Sequence, residues 1–165
     1  MSRSVSVFHG KELYLDTMVL YALLRNLDPD VVKPLFNHIR VGEIQAYTSV
    51  LTFDELAYRL LLASIRDHHP GNPLTHLRKN EADMIASFYP PIAAQIGQLQ
   101  TFPNLMILSV TLADLTLMNQ YILEYQLRPR DALHLAAINQ CGCFNLVSND
   151  ADFEQVPTIQ RYTIP

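Results

Sequence analysis

The 165-residue sequence is poor in the features that mark secreted and membrane proteins. Its two cysteines, Cys141 and Cys143, are too close together for an unstrained disulfide and too few for a structural zinc site, so we expect reduced thiols. The first residues lack the apolar run of a signal peptide, and no later apolar run is long and uninterrupted enough to span a bilayer. We therefore expect a cytoplasmic protein that makes no contact with a membrane.

The sequence also lacks an excess of positive charge. Its formal net charge is −4, whereas nucleic-acid-binding surfaces are typically basic. The overall composition therefore argues against binding of nucleic acid, and any RNA contact must depend on a local group of cations.

The turn after the first predicted strand lacks the residues that common α/β enzymes require there. The stretch "LDTMVL" contains no glycine, which argues against a dinucleotide-binding enzyme. A haloacid-dehalogenase-type phosphatase needs a second aspartate two residues after the first, but Met18 stands at that position after Asp16. A receiver domain is disfavoured as well, because an acidic pair before the phospho-acceptor and a lysine near the fifth strand are both missing.

The elements that are present alternate between strands and helices along residues 1–165, which we interpret as a single domain. Half of the residues are apolar, as expected of a globular chain. The alternation predicts right-handed crossovers and a three-layer α/β/α fold around a parallel five-stranded sheet. The predicted strands are 12–16, 44–50, 105–110, 144–148 and 160–164. The predicted helices are 17–26, 29–40, 52–67, 81–100 with an interruption at Pro90 and Pro91, 111–126 and 130–141, with a loop at 68–80.

Four acidic residues follow from this arrangement as candidate site residues. Asp16 ends the first strand, Asp150 follows the fourth, and Glu55 opens the helix after the second strand. Asp131 opens the helix before the fourth strand, and that helix must start at the carboxyl edge if the strand is parallel. Binding sites of open parallel sheets form at this edge. We therefore expect the four carboxylates to converge on one crevice.

Each carboxylate also has a structural explanation. Asp16 can cap the helix that starts at 17, Asp131 can complement the dipole of its helix, and Asp150 and Asp152 can form turns. Asp131, however, shares a stripe with apolar residues of its helix, so it should point inward.

Glu55 has the strongest structural explanation. Thr52 and Glu55 match the capping-box pattern Thr-x-x-Glu, and Glu55 lies four residues before Arg59, as in an exposed ion pair. The pattern alone favours this structural role, although a residue in the first turn of a helix can still reach the crevice.

Carboxylates gathered in one crevice repel one another, so either some of them hold protons or a cation lies among them. Clustered carboxylate oxygens suit a hard divalent ion such as Mg²⁺ or Mn²⁺. Such an ion lowers the pKa of a bound water and stabilises charge on a phosphodiester under attack. The pattern therefore indicates metal-dependent phosphodiester chemistry.

Four stretches in the same order resemble the PIN domain family, the metal-dependent ribonuclease fold of VapC-type toxins. They are "LYLDTMVLYALL" at 13–24, "TSVLTFDEL" at 48–56, "LRPRDALHLAAINQCG" at 127–142 and "NLVSNDADF" at 145–153. "RDALHLAA" followed by "LVSNDADF" is the most specific pair. The resemblance implies a five-stranded parallel sheet, Mg²⁺ or Mn²⁺ as cofactor, and an RNA-cleaving hydrolase, with a toxin–antitoxin pair as the setting.

The resemblance also implies roles for individual residues. It implies catalytic roles for Asp16, Glu55, Asp131 and Asp150, and for Glu55 it favours the site over the helix cap. Asp16, Asp131 and Asp150 would bind metal, with Asp152 as an auxiliary ligand. The alternative is a catalytically silent PIN-like module that keeps its acids and acts as a binding or scaffold protein.

Partners can be predicted from two further features. Arg128 and Arg130 flank Asp131 and could hold RNA phosphates at the rim of the crevice, although a solvated pair beside Pro129 is an equal alternative. The helices at 17–26 and 53–66 are apolar over more than one face, which favours a homodimer.

Overall fold

The central sheet has six parallel strands in a computed structural model that describes residues 3–165. The strands follow the order β1-β6-β5-β2-β3-β4, and every neighbouring pair is parallel. Their bounds are β1 (Arg3–Ser4), β2 (Glu12–Leu15), β3 (Gln45–Ser49), β4 (Leu105–Leu108), β5 (Asn145–Val147) and β6 (Gln160–Thr163).

Helices cover both faces of this sheet, which confirms the predicted three-layer α/β/α class. The helices are α1 (Thr17–Arg25), α2 (Pro29–Arg40), α3 (Val50–His68), α4 (Pro73–Lys79), α5 (Glu81–Gln100), α6 (Leu112–Tyr125) and α7 (Pro129–Cys141). Two short 3₁₀ helices, Val5–Val7 and Ala151–Gln155, complete the described elements.

The alternation of side chains along β2 divides the core between the two faces. Leu13 and Leu15 pack in a large apolar cluster with residues of α1, α2, α3 and α5. Tyr14 points to the opposite face, where it packs with Ala137 and Ile138 of α7. All three β2 side chains are fully buried. Because β2 is buried on both faces, its position in the centre of the sheet is firmly set.

Three details differ from the sequence prediction. The sheet has six strands rather than five, because Arg3 and Ser4 pair with β6, and a two-residue strand carries no readable periodicity. The predicted loop at 68–80 contains α4, whose start is capped by Asn72 with proline at the first helical position. Helix α5 is not interrupted at Pro90 and Pro91. Both prolines are exposed, so the carbonyls that lose their donors face water.

Neighbouring helices cover much of the apolar surface of α1 and α3 within the chain. Helix α1 packs against α2 and α3, and α3 also packs against α4 and α5. Val50 and Tyr58 of α3 nevertheless stay exposed, and the homodimer stays a prediction. Met1 and Ser2, which the predicted domain includes, lie outside the described residues. Within residues 3–165 we find no helix with the length and hydropathy of a membrane span.

Candidate active site

The carboxyl ends of three adjacent strands form the floor of the candidate site. Strands β5, β2 and β3 are neighbours in the sheet. Asp16 follows β2 directly, Asp150 lies three residues after the end of β5, and α3 with Glu55 begins immediately after β3. Helix α7 starts at the same edge and brings Asp131. The four predicted acids line one crevice of about 500 Å³, and their carboxylates fall into two groups.

The first group joins Asp16 and Glu55 through hydroxyl and amide donors. Asp16 is the N-cap of α1, where its Oδ1 accepts from the Thr17 amide at 2.6 Å. Its Oδ2 accepts from the Ser148 hydroxyl, also at 2.6 Å. The Thr17 hydroxyl in turn donates to Glu55 Oε2 at 2.8 Å. The predicted capping role of Asp16 therefore exists, and the same carboxylate lines the crevice.

Glu55 is not a helix cap. Helix α3 begins at Val50 with Ser49 as its N-cap, so Thr52 lies inside the helix, and its buried hydroxyl has no hydrogen-bond partner among the described residues. Arg59 forms no ion pair with Glu55 within the described chain; Arg130 Nη1 lies 3.3 Å from Glu55 Oε1 instead. The described part of the chain therefore contains neither the predicted capping box nor the predicted ion pair with Arg59.

The electrostatic surroundings of Glu55 favour its ionised form. Its side chain is 13% exposed, and this burial by itself raises the pKa. The His134 ring, the Thr17 hydroxyl and the Arg130 guanidinium outweigh burial and lower the pKa of Glu55 to about 2. Glu55 is therefore a carboxylate at neutral pH.

His134 of α7 completes the first group. Its side chain is 3% exposed, and its Nε2 lies 3.9 Å from both Asp16 Oδ1 and Glu55 Oε1. The other ring nitrogen, Nδ1, forms a hydrogen bond of 3.1 Å with the Tyr14 hydroxyl. Ligand atoms of Asp16, Glu55 and His134 all lie within 4.8 Å of one another.

The second group consists of Asp131, Asp150 and Asp152, which surround the guanidinium of Arg128. Arg128 Nε donates to Asp131 Oδ2 at 3.1 Å, and Nη2 donates to Asp150 Oδ2 at 2.6 Å and to Asp152 Oδ2 at 2.9 Å. Ligand atoms of the three aspartates lie within 4.8 Å of one another. One cation, supplied by the chain itself, thus lies among three carboxylates.

The charge of this second group is only partly balanced. Burial and the negative charge of Asp150 raise the pKa of Asp131, although Arg128 acts in the opposite direction. The Arg128 side chain is 65% exposed, so water weakens its ion pairs and the side chain can leave without disturbing the core. The second group therefore places three carboxylates around a single guanidinium, which is exposed to water.

The two arginines that we assigned to RNA are both engaged by carboxylates. Arg128 contacts the second group, and Arg130 lies near Asp54 at 3.6 Å as well as near Glu55. Arg59 also lines the crevice, and its side chain forms one hydrogen bond among the described residues, to Met18 Sδ at 3.8 Å, and no ion pair. Arg59 is therefore the crevice arginine without an acidic partner in the described chain.

Sequence reasoning missed the contributions of Thr17 and His134. Thr17 follows Asp16 and links it to Glu55, a role that only the approach of α3 creates. His134 lies three residues after Asp131 on one helical face, where a histidine beside apolar residues is more often a packing residue than a ligand. The sequence does contain one indication of this role. His134 shares a helical stripe with Asp131, so its side chain points toward the same side of the helix.

The fold and this acidic crevice define a class of protein, and the family comparison identifies it. Residues 13–159 match the model of the PIN domain, so the chain belongs to the PIN domain family. The predicted family is therefore confirmed. A search of curated protein sequences found no significant match to the chain.

Solved structures that share this fold include VapBC proteins and a toxin–antitoxin complex. VapBC2 from Rickettsia felis, solved with a DNA fragment from its promoter, matches with a TM-score of 0.61 at 13% identity, over 92% of this chain and 98% of that one. VapBC from Salmonella typhimurium, bound to DNA, has a TM-score of 0.54 at 17% identity, with 93% and 98% covered. A toxin–antitoxin complex from Klebsiella pneumoniae has a TM-score of 0.51 at 15% identity, with 93% and 96% covered. At these identities the likeness concerns the fold.

Proposed function

We propose that the chain is a divalent-metal-dependent endoribonuclease that hydrolyses RNA phosphodiester bonds in the acidic crevice. One observation carries the proposal: five carboxylates, those of Asp16, Glu55, Asp131, Asp150 and Asp152, gather at one sheet edge in a member of the PIN domain family. PIN domains are generally nucleases that use divalent metals.

The residues present fit a divalent ion. Their donor atoms are mostly carboxylate oxygens, which suit Mg²⁺ and Mn²⁺. The position of the Arg128 guanidinium among three aspartates marks a place where positive charge is favoured. Asp16 and Glu55 would hold an ion in the first group, and Asp131, Asp150 and Asp152 in the second. A bound ion would supply activation of water and stabilisation of the negative charge on the attacked phosphate.

Other residues hold the carboxylates in place. The hydroxyls of Ser148 and Thr17 donate to Asp16 and Glu55, which fixes the direction of the lone pairs that face the crevice. Ser148 is itself fixed, because its carbonyl accepts from the buried Arg161 at 3.1 Å. Such supporting contacts keep ligands oriented before the ion arrives. Asp16 and Glu55 are therefore held in place by contacts within the chain, without a bound ion.

RNA would approach along the arginine rim of the crevice. Replacing Arg59 with alanine should weaken binding of single-stranded RNA and lower the salt dependence of the association constant by about 0.7 in log–log slope, the value for one phosphate contact. Fluorescence anisotropy at several salt concentrations measures both effects. Arg66 on the same helix pairs with Asp67 and does not line the crevice, so Arg66→Ala is the matched control. An unchanged slope in Arg59→Ala would place the RNA elsewhere.

Arg128 should compete with the metal. Arg128→Ala removes the guanidinium from the oxygens of the second group, so we expect Mn²⁺ affinity to increase about threefold to tenfold, the scale on which exposed ion pairs compete. Isothermal titration calorimetry with Mn²⁺ measures the change, and Arg66→Ala again provides the control. Unchanged or weaker Mn²⁺ binding in Arg128→Ala would contradict competition between this guanidinium and Mn²⁺ at the second group.

The direct test of the proposed activity uses the purified chain and a labelled single-stranded RNA. We expect cleavage with Mn²⁺ or Mg²⁺, no cleavage with excess EDTA, and recovery when the ion is restored in excess. RNA that is bound but remains intact under all metal conditions would overturn the nuclease and favour the alternative, a catalytically silent binding or scaffold module.

The structures that share this fold also suggest a protein partner. We propose that a small antitoxin protein binds this chain, because the structures that share its fold include toxin–antitoxin complexes. The homodimer and the cytoplasmic location stay predictions. Co-expression with the product of a neighbouring small gene, followed by size-exclusion chromatography, tests the partner and the oligomeric state together.

A further inference from the structure

His134 Nε2 is a buried polar atom without a hydrogen-bond partner in the described part of the chain. The residue is 3% exposed, and its Nε2 has no hydrogen-bond partner among the described residues. Buried ring nitrogens are normally satisfied, because an unpaired polar atom loses its hydrogen bonds to water without replacement. The unpaired nitrogen faces the crevice, where its nearest acidic atoms are Asp16 Oδ1 and Glu55 Oε1. An orphaned nitrogen between two carboxylates indicates that a ligand completes this group.

The spacing of the three atoms suits one ion. Both distances from His134 Nε2 to the carboxylate oxygens are 3.9 Å, too long for hydrogen bonds. Two ligand atoms that each lie about 2.1 Å from a common ion are at most about 4.2 Å apart. Both separations from the nitrogen are within this limit, and ligand atoms of the three residues lie within 4.8 Å of one another, so a single ion can contact all three after small adjustments.

The opposite side of the ring is arranged as a ligand histidine requires. Metal-bound histidines usually donate their other ring N–H to a nearby acceptor, which fixes the ring orientation. Here the Tyr14 hydroxyl lies 3.1 Å from Nδ1 and can accept that hydrogen.

We propose that His134 Nε2 is a nitrogen ligand of the divalent ion held by Asp16 and Glu55, an inference that rests on the metal-dependent function proposed above. Imidazole is a common ligand of transition ions such as Zn²⁺, whereas Mg²⁺ prefers oxygen ligands. The first group is therefore selective for transition ions, whereas the all-carboxylate second group has the chemistry that Mg²⁺ prefers. The two groups would differ in the ion that they take.

The test is pulsed electron paramagnetic resonance on the intact wild-type chain with one equivalent of Mn²⁺. Electron spin echo envelope modulation detects a directly bound imidazole as a ¹⁴N coupling, which changes when histidine is labelled with ¹⁵N. We expect this coupling in the wild type and its loss in His134→Gln. His38→Gln is the matched control, because His38 is exposed and pairs with Glu43 instead. The control should keep the coupling.

Affinity provides a second readout. His134→Gln should weaken Mn²⁺ binding by at least about tenfold and change Mg²⁺ binding by less than about threefold, since the nitrogen is replaced by an amide oxygen donor. Bound Mn²⁺ without nitrogen coupling in the wild type would overturn the role of His134 and leave the carboxylate site standing. Failure of the wild type to bind Mn²⁺ would overturn both proposals. Because the wild-type spectrum is decisive by itself, the test does not depend on the folding of the variant.

Discussion

Asp16→Asn should abolish RNA cleavage while leaving the fold intact. Asparagine caps helices as well as aspartate does, so the contact with the Thr17 amide can persist. The amide group lacks the negative charge that an ion requires and offers one oxygen instead of two. We expect the rate to fall by at least about a thousandfold, equivalent to about 4 kcal/mol of transition-state stabilisation.

This prediction needs a control that separates charge from position. Asp83 lies in the first turn of α5, is exposed and does not line the crevice, so Asp83→Asn should cleave RNA at the wild-type rate. Circular dichroism melting checks that Asp16→Asn remains folded. Retention of more than about a tenth of the activity by folded Asp16→Asn would exclude an essential role for this carboxylate.

Glu55→Gln should have the second-largest effect and should distinguish a metal ligand from a residue that only stabilises the fold. If Glu55 binds the ion, its replacement should reduce the rate by about a hundredfold or more, because the ligand charge is lost. The folded protein favours the carboxylate, as its lowered pKa indicates. We therefore also expect a loss of about 1–3 kcal/mol in the free energy of unfolding. Cleavage is best measured well below the melting temperature of the variant.

The neighbouring Asp54 provides the matched control for Glu55. Asp54 lies on the same helix, its side chain is 70% exposed, and it also approaches Arg130. Asp54→Asn should keep both activity and Mn²⁺ affinity. If Glu55→Gln is destabilised but cleaves RNA as fast as Asp54→Asn, Glu55 is a structural residue and our assignment is wrong.

The convergence of the acids at one edge was accessible from the sequence because it depends only on strand direction. Asp16 and Asp150 follow buried apolar strands, and parallel strands end at the same edge. Asp131 required one more step, the direction of the helix before β5. These inferences use periodicity and chain order, which a single sequence contains.

The details that the sequence did not predict depend on contacts between distant segments. The start of α3 was misplaced, because the chain enters the helix directly after Ser49 and the later Thr52 only resembles a cap. The role of His134 depends on Tyr14, which is 120 residues away in the sequence. The ion pairs of Arg128 with Asp150 and Asp152 depend on the turn after β5, which brings these two residues to the guanidinium. Side-chain pairing of this kind cannot be read from helical periodicity.

The central claim is that the acidic crevice holds divalent ions, and a crystal of the chain grown or soaked with Mn²⁺ tests it most directly. Anomalous diffraction locates Mn²⁺ independently of the protein atoms. We predict a peak in contact with the carboxylates of Asp16 and Glu55, and displacement of the Arg128 guanidinium if a second peak lies among Asp131, Asp150 and Asp152. A crevice without an anomalous peak at saturating Mn²⁺, with Arg128 still bound to its three aspartates, would contradict the account.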